Sequence, residues 1–412
     1  MTVRTSRPGT RQAGLFGLLF FANTAMFALY FGVGGLLVQS AIEVVDPVNK
    51  VANAGMVAGV SAIFATLFNP IGGALSDRTH SRFGRRNPWL LGGALGAFAT
   101  LWFLGTADSI IVILVTWSIA QAMMNLFQAA LTAIVPDRVP RELRGTASAV
   151  IGIATSVAAV VGTQIAAAYI GSIAGYLLLG AGVVASAVLL VLFSRDPRPG
   201  EYAVVAKERR SPLAALAYFV SALRYRDFMW VFIGRALMTL SYFMVLMFQL
   251  YILQDYIALP SGMTAVGAVA TVTIINTVAS IVASLITGPL ADKLQRYRMF
   301  VFIASAVTGL AMLILLLSPT WTGMMIFAAV NGVGFGAYYA VDTALVTLVL
   351  PNPESAARDL GVLNIANAGP QMFAPFAAAF LIGLGGYPTL FIASAVVAIV
   401  GALTVIPVKS VR

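Results

Sequence analysis

Two side chains that can carry formal charge stand deep inside apolar runs of this 412-residue chain: Asp342 and Arg235. Of the 15 acidic residues only Asp342 is well within such a run, and of the 25 basic residues only Arg235. A carboxyl in apolar surroundings can take up and release a proton. A guanidinium can pair with it, or can bind a carboxylate or phosphate in a fork. Arg235 lies roughly 12 Å past Asp227, and Asp342 roughly 13 Å before Pro351, at 1.5 Å per helical residue. They therefore share a depth. An unpaired charge there costs at least ~2.5 kcal/mol on insertion scales, so pairing or a charged ligand is expected. The alternative is that Arg235 snorkels to the membrane boundary and Asp342 simply stays protonated.

Neutral hydrogen-bonding side chains form stripes at helical spacing. One run carries Asn23, Phe27 and Tyr30; another carries Gln121, Asn125, Gln128 and Thr132. A third has Arg235, Thr239, Tyr242 and Gln249, a fourth Asn331, Tyr338 and Asp342, and a fifth Asn364, Asn367 and Gln371. Amides and phenols both donate and accept. Aromatic rings offer an apolar face to the C–H side of a sugar. The mixture suits a neutral polyhydroxylated ligand. The same amides could serve only to join helices.

A third constellation lies in "NPIGGALSDRTHSRFGRRNPWL", residues 69–90, where Asp77 is followed by Arg78, Arg82, Arg85 and Arg86. Asp137, Glu142 and Asp196 are carboxylates that these arginines can meet. Such a cluster can latch a gate in one conformation and release in another. Asp77 and Arg85 are the leading pair, ahead of Arg82 and Arg86. The plainer alternative is that the arginines only set topology.

The elements that position these residues are membrane helices. Composition is 60% hydrophobic and 10% charged, with a mean hydropathy of +0.92, far from the roughly one-quarter charged content of soluble domains. Twelve apolar runs are read, at 13–38, 52–75, 88–107, 110–135, 145–170, 174–193, 228–254, 263–290, 299–318, 321–350, 361–384 and 388–408. Most are long enough to cross ~30 Å of hydrocarbon. They are numbered spans 1 to 12 below. The first is too long for a signal-peptide core and is kept as a helix. Backbone crossing lipid must bond to itself, so the spans are helical. With the N-terminus inside, 23 of the 25 basic residues fall on one side and only Lys50 on the other. This is a positive-inside pattern and puts both termini in the cytoplasm. The charge of +10 is thus a topology signal, with attraction to anionic lipid as a by-product, and no nucleic-acid partner is expected. The expected location is a bacterial plasma membrane, and the expected state a monomer. No cysteine is present, so thiol chemistry is excluded. The lone histidine, His80, stands in a loop and no nucleotide, zinc or acyl-transfer motif is visible, so no enzyme, cofactor or metal centre is expected.

The chain repeats itself. "GALSDR" at 73–78 matches "GPLADK" at 288–293, and "ALTAIVP" ending at Pro136 matches "ALVTLVLP" ending at Pro351; both offsets are 215. The first match puts Asp292 where Asp77 stands and makes it a gating candidate. The expected fold is an all-α membrane protein of twelve helices in two pseudo-symmetric six-helix halves around a central cavity. The halves are 1–193 and 228–412, joined by a cytoplasmic linker at 194–227. The middle of that linker, "SPLAALAYFVSALRY", has amphipathic spacing that suits the membrane surface. A duplicated design of this kind suits a transporter with a midplane site.

The 73–86 loop resembles the span 2–3 loop of the major facilitator superfamily. Its longer form, "SDRT.SR.GRR.PW", is similar to that of the glycoside–pentoside–hexuronide cation symporters and sucrose-transporter-like proteins. The resemblance implies a gating role for Asp77, Arg78, Arg85, Arg86 and Asp292, and a cavity lined by spans 1, 4, 7 and 10. It implies a secondary transporter importing a sugar or glycoside. The substrate-contact set is then Asn23, Tyr30, Asn125, Gln128, Arg235, Tyr242, Tyr338, Asp342, Asn364, Asn367 and Gln371. The chain departs from the melibiose-permease branch, which has carboxylates on spans 1, 2 and 4 for sugar and cation. Sodium coupling is therefore disfavoured, and proton coupling at Asp342, or no coupling, is left open. The competing reading is a proton-coupled exporter of drugs or metabolites. That branch usually has an arginine in span 4 and a Gly-Pro signature in span 5, and both are absent here. A membrane enzyme or a non-transporting sensor are the remaining classes.

Overall fold

The computed structural model describes residues 10–194, 221–349 and 356–408. These are helical almost throughout, and their only sheet-like contact is an isolated bridge between Ala258 and Thr320. The chain divides into two compact units, 1–205 and 206–412. Most of the expected linker, and most of its amphipathic stretch, lies outside the described residues; Ser221–Arg224 forms a short 3₁₀ turn.

In the first unit, span 1 runs from Thr10 to Val45 as α-helix, then a π-helical stretch at Tyr30–Leu37, then α-helix again. Span 2 is Lys50–Arg78, span 3 Asn87–Leu104 and span 4 Ile110–Arg138. Span 5 is Arg144–Ala168 and span 6 Ile173–Phe193. In the second unit, span 7 is Arg226–Leu246, broken at Met247 and Phe248 and resumed as Gln249–Asp255. Spans 8, 9 and 10 are Ala265–Leu294, Tyr297–Leu317 and Trp321–Leu348. One 48-residue helix, Ala356–Leu403, leaves helical geometry at Gly385 and Gly386, which divides it into spans 11 and 12. Among the described residues, ten helices are long and apolar enough to cross a membrane. Dividing the last of them adds one. Span 3, with 18 residues or about 27 Å of helix, completes the twelve. The protein is an all-α membrane protein of two halves.

Local chemistry sets where the helices begin. Ser109, Ser172, Thr264 and Thr320 cap spans 4, 6, 8 and 10, each side chain accepting from a backbone N–H of the first turn. Capping satisfies a donor that otherwise has no partner. Pro88 sits in the first turn of span 3, where its missing N–H is not needed. At the turn between spans 1 and 2, Asp46 accepts from Asn49 N at 3.0 Å and Asn53 Nδ2 at 2.9 Å. Beside it Lys50 pairs with Glu43 at 2.9 Å, so the basic residue that breaks the charge asymmetry is neutralised in place.

Both halves pack by one scheme. Span 2 lies along span 4, span 3 along spans 4 and 6, and span 1 along spans 5 and 6. In the second half span 8 lies along span 10, span 9 along span 10, and spans 7 and 9 along the helix containing spans 11 and 12. Without a strong hydrophobic drive inside lipid, close van der Waals contact holds such helices. Gly162 of span 5 is one such contact: a Cβ there would collide with the Ala28 carbonyl of span 1. Gly336 of span 10 meets Ser280 of span 8 in the same way.

Candidate functional site

Each half holds its own polar cluster. In the first, Tyr30 opens the π-helical stretch of span 1 and donates to Gln128 Oε1 at 3.1 Å. Asn125, one turn before Gln128 on span 4, donates to the Tyr30 oxygen at 3.4 Å. Asn69 of span 2 donates to Asn125 Oδ1 at 3.3 Å. Three helices thus converge on a hydrogen-bonded set with no formal charge. A π-helical turn widens the backbone and frees carbonyls; here Tyr176 of span 6 donates to the Leu37 carbonyl at 3.0 Å. Phe27 stands edge-on to Tyr30, with ring centroids 6.2 Å apart. Asn23, from the same stripe, is buried and spends its amide on the Leu19 carbonyl of its own helix. Thr132 likewise bonds back to the Gln128 carbonyl. The sequence reading missed Asn69. Its signal was an amide well inside a span, at a position read only as the start of the charged loop.

The second half centres on charge. Arg235 of span 7 pairs with Asp342 of span 10 through Nε at 3.3 Å, and both side chains are nearly buried. The same Nε donates to Asn367 Oδ1 of span 11 at 3.0 Å. Thr239, one turn on from Arg235, donates to that oxygen at 3.5 Å. Tyr338 lies one turn from Asp342 and is buried. Tyr242 stacks on Phe335 with centroids 3.8 Å apart. Arg235 and Asp342 thus meet within the second half, on spans 7 and 10. Gln249 begins the resumed segment of span 7 and is half-buried. Asn331 accepts from Asn276 of span 8 at 3.3 Å, a helix-joining contact. Gln371 is exposed, one turn beyond Asn367. The Asn364 side chain lies outside the described residues.

The rim charges are arranged around Arg86 rather than the leading pair expected from sequence. Arg86 is buried; its guanidinium meets Asp77 at 2.8 Å, Asp137 at 3.0 Å, and the Ser76 hydroxyl. Arg85 meets Asp137 at 3.0 Å and stands 4.0 Å from Asp77. Gly84, with φ +96°, turns the chain so that both arginines fall back over spans 2 and 4. That conformation suits glycine. Trp89 donates to Thr79 at 2.7 Å and closes the loop. Arg78 is exposed, with no ion pair among the described residues. Arg82 is exposed and lies over the Phe83 ring, 4.8 Å from its centroid. Glu142 is exposed and joins no pair among the described residues; Asp196 lies outside them. Asp292 accepts from the Tyr297 hydroxyl at 3.0 Å. Its place matches Asp77 but its partner is a tyrosine.

The model of the Major Facilitator Superfamily matches residues 15–275 and 257–411, and the chain belongs to that family. It is a protein that crosses the membrane many times. An uncharacterized symporter of Synechocystis sp. is 41% identical over 86 residues, 20% of this chain and 13% of its own. A transporter of the superfamily from Aspergillus flavus is 29% identical over 180 residues, 42% of this chain and 40% of its own. An uncharacterized transporter of this type from Bacillus subtilis is 32% identical over 116 residues, 28% and 25%. The chain thus spans less than half the length of these relatives. Among solved structures, a bacterial homolog of the human lysosomal transporter Spinster superposes with TM-score 0.73 at 15% identity, over 98% of both chains. A POT family transporter in complex with a thioalcohol-conjugated peptide gives 0.75 at 14%, over 95% of both. A nucleoside transporter gives 0.73 at 14%, over 96% of this chain and 99% of that one. At these identities the likeness is one of fold.

Proposed function

We propose that the protein imports a sugar or glycoside together with a proton, by alternating access. The observation that carries the reading is the uncharged network of Tyr30, Asn69, Asn125 and Gln128. Each member can exchange its present partner for a hydroxyl of the solute, which both donates and accepts. No side chain in the set requires an ionic group on the ligand. The proton belongs to Asp342. Protonation there removes the charge that holds Arg235, and Arg235 then keeps only Asn367. Binding and protonation are linked if solute and proton favour the same conformer. The span 2–3 loop with Asp77, Arg85, Arg86 and Asp137 acts as the gate latch on the cytoplasmic side, where its excess of basic residues would place it. The narrower glycoside–pentoside–hexuronide resemblance rests on that same loop.

The test is uptake into proteoliposomes with a panel of mono- and disaccharides, glycosides, nucleosides and peptides, with and without a pH gradient. A sugar should accumulate only with the gradient. Asp342→Asn should still exchange the sugar but no longer answer to the gradient. Gradient-driven accumulation by Asp342→Asn would remove Asp342 as the proton site.

One observation favours a second reading. Arg235 engages Asp342 and Asn367 through Nε alone, and its terminal amines have no partner among the described residues. A carboxylate on the solute would fit that fork. In that case uronates or other acidic solutes in the panel would outcompete neutral sugars, and Arg235→Lys would reduce the advantage.

A further inference from the structure

Span 9 opens at Tyr297 directly after Arg296, and its first turn carries Arg298 and no acidic residue. The last turn of span 12 ends alongside it, where Arg298 donates to the Ile406 carbonyl. Between the two helix ends lies a groove of about 390 Å³, lined by Arg296, Arg298, Met299, Phe302, Val405 and Ile406. Its mouth is cationic and its wall apolar. Val405 is buried and forms the floor, while Met299 and Ile406 are exposed. The Arg296 guanidinium has no partner among the described residues. Asp292, the nearest acid in sequence, instead accepts from Tyr297.

The groove stands at the ends of two membrane helices, so it lies where hydrocarbon gives way to headgroups. We propose that it holds an anionic phospholipid, with the phosphodiester against Arg296 and Arg298 and an acyl chain along Met299, Phe302 and Ile406. Basic pockets between helix ends are suited to such headgroups. A free phosphate would use the two arginines and leave the apolar wall in water. A neutral lipid would use the wall and leave Arg296 without a counter-ion. The lipid would brace span 9 against span 12 within the second half. None of its proposed contacts belongs to the solute or proton cluster, so the test is independent of the function proposed above.

The experiment is native mass spectrometry of the full chain in detergent, titrated with phosphatidylglycerol, with phosphatidylcholine, and with inorganic phosphate. The wild type should retain one phosphatidylglycerol at a concentration about thirtyfold lower than Arg296→Gln/Arg298→Gln, given roughly 1 kcal/mol for each of the two basic residues near an anionic lipid. Phosphatidylcholine should bind both proteins alike, and millimolar phosphate should not displace the lipid. Equal retention of phosphatidylglycerol by the two proteins overturns the proposal, and so does displacement by phosphate. Should the double variant fail to fold, Phe302→Trp in the otherwise native chain gives a second readout. Its fluorescence should be quenched more by chain-brominated phosphatidylglycerol than by brominated phosphatidylcholine at the same mole fraction. Equal quenching also overturns the proposal.

Discussion

In the first half the formal charges stand at the helix ends, in the Arg85, Arg86, Asp77 and Asp137 cluster, and the middle holds tyrosine and amides. In the second half the ion pair stands in the middle, between Arg235 and Asp342, and the corresponding rim has Asp292 on a tyrosine. The helix pairing is the same in both. A duplicated scaffold therefore keeps its packing and lets charge migrate between rim and interior. Shape follows from glycine contacts and helix pairing, which tolerate many side chains elsewhere. On the function proposed above, charge placement follows the task of each half: one would serve hydroxyl groups and a latch, the other a proton or an ionic group.

The largest expected effect tests the charged interior. Arg235→Ala and Asp342→Ala each strand one charge, and truncating one partner of a buried pair costs about 3–5 kcal/mol. Each single variant should lose most of its folded yield and uptake. Arg235→Ala/Asp342→Ala should recover at least half of the folded yield. A double variant as poor as the sum of the singles would show that the 3.3 Å contact contributes nothing.

The next effect tests the rim. Arg86→Gln removes contacts to both Asp77 and Asp137 and to Ser76, whereas Arg85→Gln removes chiefly one, to Asp137. A charge-assisted hydrogen bond contributes roughly 1.5–3 kcal/mol, less here for the half-exposed Asp77. Arg86→Gln should slow transport about tenfold or more with solute affinity nearly unchanged, and Arg85→Gln should slow it less. Asp292→Asn, which keeps an acceptor for Tyr297, should change the rate least. If Asp292→Asn and Arg86→Gln were equally slow, the asymmetry of the two rims would carry no functional weight.

A smaller effect tests the neutral interior. Tyr30→Phe removes one donor to Gln128 and one acceptor from Asn125. At about 0.5–1.5 kcal/mol for a neutral hydrogen bond, solute affinity should fall roughly threefold to tenfold. Asn69→Ala should weaken binding comparably. Unchanged affinity in both variants would reduce the cluster to a joint between spans 1, 2 and 4.

Much of this architecture was legible in the sequence. Twelve apolar runs, the 215-residue repeat and the charge asymmetry give helices and halves, because lipid leaves so few choices of backbone. Arg235 and Asp342 stood out because a charge inside such a run is rare. Other features were hidden for physical reasons. Arg85 and Arg86 are adjacent, and sequence order alone does not tell which of them is buried once the chain turns at Gly84. Span 7 breaks at Met247 and Phe248 without a proline or glycine to mark it. The π-helical stretch of span 1 had a hint in "FGVGG", but glycine alone does not tell a bulge from a close contact. Asn69 was hidden by its neighbourhood, next to a charged loop that drew the attention.

The smallest effect lies at the turn between spans 1 and 2, far in sequence from both clusters. Asp46 accepts from the Asn49 backbone and then from the Asn49 and Asn53 side chains. These bonds, the backbone one foremost, hold its carboxyl below the ordinary aspartate range. A carboxyl whose pKa is depressed by folding contributes stability above the unfolded value, about 3.9. That contribution fades as pH falls through the lower folded value. Asp46→Asn keeps an acceptor oxygen but cannot titrate. The wild type should therefore lose more Tm than the variant as pH is lowered from 5 to 3, and at neutral pH the variant should be slightly the less stable of the two. Asp46 is only half-buried, so the difference should be smaller than any at the buried Arg235–Asp342 pair. Parallel Tm curves over that interval would mean that the turn is held by Lys50 and Glu43 instead, and Glu43→Gln would then produce the larger shift.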